Sequence, residues 1–223
     1  HTVGTKILSH SNTSLKISSA VHCPRRCRSQ ALSGRDAHKP AGLHSGLGAS
    51  GSESPSAIGQ GEVNLTPLQI ANLGATIANR GYYYVPHVVR KVQGEPLDTL
   101  YTRRHVTKAS KRAYDYVVAG MRSSALKGTC KMLGRYDFEP CGKTGTAQNR
   151  GHDHSVFMGF APMNNPKIAI AVYVENGGWG ADFGVPIGGL MMEQYIKGKL
   201  SPSSEKQAAE MQARRIGYGS SSR

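Results

Sequence analysis

Cys141-Gly142-Lys143-Thr144-Gly145-Thr146-Ala147 is the stretch from which the rest of the chain is read. In an extended strand side chains alternate faces, so Lys143 and Gly145 point one way and Thr144 and Thr146 the other. A lysine with one glycine just before it and another two residues after it leaves a bare backbone edge beside a fixed positive charge. That suits a ligand with a carboxylate and a peptide-like backbone. The peptide adds to the strand edge while the ammonium and a hydroxyl hold the carboxylate. The plainer reading is a Gly-rich edge strand with a solvated lysine.

Downstream, two more strand-like runs follow. His154 to Ala161 ends at Pro162. Lys167 to Glu175 places Ile168, Ile170, Val172 and Val174 opposite Ala169, Ala171 and Tyr173. Asn149-Arg150-Gly151 and Asn164-Asn165-Pro166 supply turn chemistry, so the three runs, starting with Phe138 to Gln148, read as an antiparallel meander. Gly184 to Lys197 reads as a helix. From Ser201 the chain is polar, and 201–223 is expected as a basic, frayed tail.

Upstream, Thr66-Pro67-Leu68-Gln69 is a helix start, with Thr66 as N-cap, Pro67 at the first helical position and Gln69 closing a capping box. Leu68, Ala71, Leu73, Ala75, Ile77 and Ala78 form its apolar face, and Gly81 stops it. The small residues Ala71, Gly74, Ala75 and Ala78 let this helix press closely on a sheet. Tyr82 to Val85 and Val88 to Val92 read as short extended pieces. A second helix is expected from about Thr107 to Lys127, with Ala113, Tyr114, Val117, Val118, Met121 and Ala125 on one face. The fold class is therefore α+β, three antiparallel strands packed with helices.

The chain has 223 residues, a net charge of +14 and 38% hydrophobic residues. Its mean hydropathy is -0.40. The charge alone admits nucleic acid, an anionic surface or an anionic polymer as partner. Part of it is local: residues 1–55 hold seven Lys and Arg against two Asp and Glu, and no aromatic residue. That segment is expected to be poorly specified or disordered, since it has little apolar area to offset its ordering entropy. Its basic run Cys23-Pro24-Arg25-Arg26-Cys27-Arg28 lacks interleaved aromatics, which argues against nucleic acid. No apolar run approaches the roughly 18 residues that span a bilayer, and no secretory h-region opens the chain. A cytoplasmic protein or a piece of a longer one is expected. Cys23 and Cys27 lack a second ligand pair for zinc. Cys130 and Cys141 are expected as buried free thiols, with a bridge as the alternative.

Ser56-Ala57-Ile58-Gly59-Gln60-Gly61-Glu62 followed by the Thr66 helix, and Cys141 to Asn149 followed by His154-Ser155-Val156-Phe157-Met158-Gly159-Phe160-Ala161-Pro162, closely resemble the transpeptidase domain of class B penicillin-binding proteins, of the penicillin-binding protein 2 type. The resemblance runs from about Ser56 to the C-terminus. It implies the C-terminal half of a penicillin-binding transpeptidase (β-lactamase-like) fold, with a partial transpeptidase domain over 56–200. It also implies an acyl-serine reaction that crosslinks peptidoglycan stem peptides ending in D-Ala-D-Ala and is trapped by β-lactams. No cofactor and no metal are implied. By family, a membrane glycosyltransferase of the elongation machinery is the partner, and the parent protein sits in the inner membrane with this domain in the periplasm.

Such enzymes join three motifs, S-x-x-K, S-x-N and K-T-G. The resemblance carries over only the third. Lys143 would face the substrate carboxylate and the proton relay, Thr144 would donate to that carboxylate, Gly145 would keep the edge clear, and the Thr146 backbone N–H would be an oxyanion donor. The nucleophile motif is absent in usable form. Thr13-Ser14-Leu15-Lys16 is one position off, and Ser124-Ala125-Leu126-Lys127 ends the second helix, where the family has no catalytic serine. Residues 1–55 have the composition of an out-of-frame translation. The chain alone is expected to be catalytically incomplete.

Three further features are weighed. His152-Asp153-His154 has the look of a metal cluster but falls in a turn. Trp179, among Gly177, Gly178 and Gly180, is read as a loop tip over the site, with simple packing as the alternative. A β-lactamase or penicillin-sensor relative, and a non-enzymatic basic binding module, are the rival functions.

Overall fold

The computed structural model describes residues 65–88, 93–148 and 151–216. The segment 1–55, the run Ser56 to Glu62, residues 89–92 of the extended piece expected over Val88 to Val92, the Asn149-Arg150 turn positions and the end of the tail lie outside the described residues.

Helix α1, Pro67–Ala78, begins as its sequence dictates. Thr66 Oγ1 accepts from the Gln69 N–H while Gln69 Oε1 accepts from the Thr66 N–H, the two halves of a capping box. Arg80 and Gly81 turn the chain with positive φ of 59 and 108. Strand β1, Tyr82–Tyr83, is shorter than expected, and a four-residue helix α2, Thr99–Thr102, follows. Strand β2, His105–Val106, pairs antiparallel with β1. Helix α3 spans Lys111–Lys127, four residues later than Thr107, because the Ser110 hydroxyl caps it by accepting from the Ala113 N–H. A 3-10 turn, Lys131–Arg135, leads into strand β3, Cys141–Ala147. The strand starts after Phe138 because Phe138 turns into the core, Glu139 takes a φ of 49 and Pro140 has no N–H to give a ladder. Strand β4 is His154–Ala161 and strand β5 is Ile168–Val174. Helix α4, Gly184–Lys197, ends at Gly198 in the left-handed region.

The stretch expected to fray instead forms helix α5, Pro202–Ala213. Pro202 presets the first turn, Glu205 favours its positive end, and Met211 is buried in the main core. The sequence of α5 has one lysine and two glutamates, so this part of the tail is not basic.

The order β3-β4-β5 is an antiparallel meander, with Thr144 opposite Phe157 and Phe157 opposite Val172. Opposed residues share a face. One face, with Phe157, Ile170, Val172 and Val174, packs against Val185, Ile187 and Met192 of α4 and against Leu133. The other, with Cys141, Phe160 and Ala169, packs against Ala75, Ile77 and Ala78 of α1 and Val118 and Met121 of α3. The sheet is thus covered by helices on both faces. Gly74 lets α1 come close: a Cβ there would lie 3.2 Å from Met158 Cγ. Three residues assigned to apolar faces in the sequence stand in solvent, Leu73 and Val117 at 46% exposure each and Ala113 in the first turn of α3. Each lies on the flank of its helix turned from the sheet.

Candidate active site

Strand β3 is the outer strand of its sheet among the described residues, with β4 on one side. Lys143, on the α1–α3 face, is exposed, and its Nζ donates to the Thr144 carbonyl at 2.7 Å. Thr144, on the α4 face, is half-buried, and its Oγ1 lies 2.7 Å from Thr129 Oγ1. Gly145 is partly covered, since a Cβ there would meet Val156 Cβ at 3.4 Å. Thr146 is exposed opposite Ser155.

Gly142 proves to serve the core. A Cβ on it would lie 2.5 Å from Phe157 Cε2, and one on Gly159 would lie 2.5 Å from Phe157 Cζ. The missing side chain makes room for an aromatic ring; it does not bare an edge for a ligand.

The turn Gly128-Thr129-Cys130 is tied to α3 by two bonds to one carbonyl, from the Gly128 N–H at 3.0 Å and the Cys130 N–H at 3.2 Å to Ser124 O. Cys130 is fully buried, and burial pushes its thiol up, against the opposing pull of the Ser124 and Thr129 side chains. Cys141 is also fully buried, and burial pushes its thiol up to about 12. Both cysteines are free, and they sit in cores on opposite faces of the sheet, so the bridge alternative fails. Ser124 and Lys127 lie at the C-terminal end of α3, where Ser124 is engaged with the Cys130 turn.

The loop 175–183 lies over the β3–β4 hairpin. Ser155 Oγ, fully buried, donates to Trp179 O at 2.9 Å and accepts from the Gly184 N–H at 3.1 Å. The Gly178 N–H donates to Asp153 O at 2.8 Å, and the Asn176 N–H to His154 Nδ1 at 3.0 Å. A Cβ on Gly180 would lie 2.7 Å from Gly145 O and 2.9 Å from Thr144 Cβ. Trp179 is therefore presented next to Thr144 and Gly145 with its side chain in solvent, at 73% exposure. Of the histidine cluster, His154 packs at a tilt against Tyr173, with 5.3 Å between ring centroids, and anchors this loop. No three metal-ligating side chains converge among the described residues.

The profile of the penicillin binding protein transpeptidase domain matches residues 35–193. The chain belongs to this transpeptidase family. The match begins upstream of Ser56. The peptidoglycan D,D-transpeptidase MrdA of Haemophilus influenzae is 28% identical over 180 residues, covering 71% of this chain and 28% of the relative. The crystal structure of Pseudomonas aeruginosa PBP2 in complex with WCK 5153 is 36% identical, with a TM-score of 0.58, over 67% of this chain and 34% of that one. The ceftriaxone acyl-enzyme complex of penicillin-binding protein A from M. tuberculosis is 31% identical, with a TM-score of 0.55, over 63% of this chain and 34% of that one. The chain thus spans about a third or less of the proteins it matches. Its α+β architecture is that of the penicillin-binding transpeptidase fold.

Sequence reasoning found the strand that carries Lys143, Thr144, Gly145 and Thr146. It missed Thr129 and Ser155. Ser155 had a signal, a lone hydroxyl at an inward position of an apolar strand. Thr129 had none beyond its place after Gly128.

Proposed function

We propose that this chain is the K-T-G half of a peptidoglycan D,D-transpeptidase site, part of an enzyme that crosslinks stem peptides through an acyl-serine. The observation that carries it is a cation and a hydroxyl on adjacent residues of an outer strand, Lys143 and Thr144, in a chain of the transpeptidase family. A D-Ala-D-Ala terminus lies along β3 in this reading. Lys143 and Thr144 hold its carboxylate, Gly145 admits the peptide backbone, and the Thr146 N–H is one oxyanion donor. Trp179 forms a wall of the groove. β-Lactams bind the same strand. Lys143 also enters the proton relay once a serine from another segment is present.

In the parent enzyme the partner is a membrane glycosyltransferase of the elongation machinery, and the domain works in the periplasm from an inner-membrane anchor, serving cell shape. These points rest on family. Among the described residues no helix is long and apolar enough to cross a membrane.

The test uses the 223-residue chain and diacetyl-Lys-D-Ala-D-Ala. Titration should shift the amide resonances of Lys143 to Thr146, and the C-terminal carboxamide of the same peptide should not. A fluorescent penicillin should leave no covalent label: of the serines with S-x-x-K spacing among the described residues, Ser124 ends α3 with its carbonyl tied to the turn 128–130, and Ser203 lies in the first turn of α5. Silence of the β3 amides, or an adduct on any serine of this chain, overturns the reading.

A further inference from the structure

Thr144 carries a hydroxyl whose direction is not fixed by its own strand. A threonine has three staggered rotamers at χ1, and each sends the hydroxyl elsewhere. Here the neighbour that selects among them is Thr129, fifteen residues earlier, at 2.7 Å between the two oxygens. Thr129 is itself held: the turn that carries it is hydrogen-bonded twice to Ser124 O, and the next residue, Cys130, is buried in the core. On the other side, the backbone of Gly180 closes against Thr144 Cβ. Thr144 is thus set between a fixed donor and a fixed wall.

The proton count assigns roles. Each hydroxyl has one proton to give and lone pairs to accept with. A ligand carboxylate only accepts, so Thr144 can bond it only with its own proton. The 2.7 Å contact must then run from Thr129 to Thr144. A hydroxyl that accepts one bond gives a stronger second one.

We infer that Thr129 is a positioning residue for carboxylate recognition, donating its hydroxyl proton to Thr144 Oγ1 so that the Thr144 proton points at the bound carboxylate. This rests on the reading of β3 as the peptide-binding strand. It adds a residue outside the K-T-G motif and makes specificity for a free C-terminal carboxylate depend on a turn after α3.

The experiment compares the wild-type chain with Thr129→Val, which keeps the shape and removes the hydroxyl, and Thr129→Ser, which keeps the hydroxyl. Thr129 is exposed, so both variants should melt with the wild type. Affinity for diacetyl-Lys-D-Ala-D-Ala, read from the β3 amide shifts, should fall about three- to tenfold in the valine variant and recover in the serine variant. The carboxamide peptide should show no such difference. No loss in the valine variant, or a loss that the serine variant does not recover, overturns the inference. A second readout needs no ligand: three-bond couplings should report one Thr144 rotamer in the wild type and the serine variant, and averaging in the valine variant. If the peptide fails to bind the wild type, the proposed function falls, while the coupling data still decide whether Thr129 sets Thr144; unchanged couplings in the valine variant overturn that.

Discussion

The ring of Phe157 occupies the space that a side chain at Gly142 would need, 2.5 Å from the position of its Cβ. The residue next to the lysine is therefore glycine for the sake of the core. Gly159 and Gly188 close on the same ring, from the sheet and from α4. A methyl at residue 142 must move a fully buried aromatic that is walled on three sides. Gly142→Ala should destabilise the chain by about 1–3 kcal/mol in urea denaturation. Adding Phe157→Leu to that variant should lose less than the two single changes summed, because the smaller side chain vacates the clash. Strict additivity would mean the two positions are not coupled.

Ser155 holds the loop that displays Trp179, accepting from the Gly184 N–H and donating to Trp179 O. Ser155→Ala leaves a donor and a carbonyl without their partner in a buried place, a loss of about 1–3 kcal/mol. The chain has one tryptophan, so its fluorescence reports this loop alone. Anisotropy of Trp179 should fall and iodide quenching should rise in the variant. If anisotropy holds while stability drops, Ser155 supports the core and not the loop.

The alkaline limb of stability follows from the buried thiols. Cys141 is pushed up to about 12 from an ordinary value of 9.0 by burial, and Cys130 is raised for the same reason. Above pH 9 the unfolded chain releases the Cys141 proton while the folded chain keeps it. Stability is thus full below pH 9 and declines as pH rises toward 12, by at most about 1.4 kcal/mol per unit for one thiol. Melting should be followed from pH 7 to 10.5 in wild type and Cys141→Ala. The variant should start lower and lose less over the alkaline range. Parallel curves would mean that Cys141 ionises as freely folded as unfolded.

The elements that sequence reading recovers are those whose signal is local. Thr66-Pro67-x-Gln69 fixes the start of α1, and the alternation from Ile168 to Val174 fixes β5, because caps and strand faces are set within a few residues. Helix α5 escapes because its apolar content is nearly one residue, Met211, whose burial depends on a neighbour far back in the chain. The site divides in the same way. Lys143 to Thr146 are readable as a strand with a motif. The Thr129 contact spans fifteen residues between a turn and a strand, and no spacing encodes it. Gly142 is the instructive reversal, since an absent side chain looks the same whether the vacant space serves a ligand or a phenyl ring.

Lys143 separates binding from stability most cleanly. Its side chain is exposed, and its ammonium donates to the carbonyl of the next residue. Nothing in the core depends on it, so Lys143→Ala should change stability by no more than about 0.5 kcal/mol. A bond from a charged donor to a carboxylate is worth about 1.5–3 kcal/mol, so affinity for diacetyl-Lys-D-Ala-D-Ala should drop roughly ten- to hundredfold. Lys143→Arg keeps the charge on a planar fork, which cannot take the compact position beside the Thr144 carbonyl, and should recover only part of the affinity. Isothermal titration with the carboxylate and carboxamide peptides, beside a thermal melt, reads both quantities. A variant that melts normally and binds the carboxylate peptide as tightly as wild type would remove Lys143 from the site.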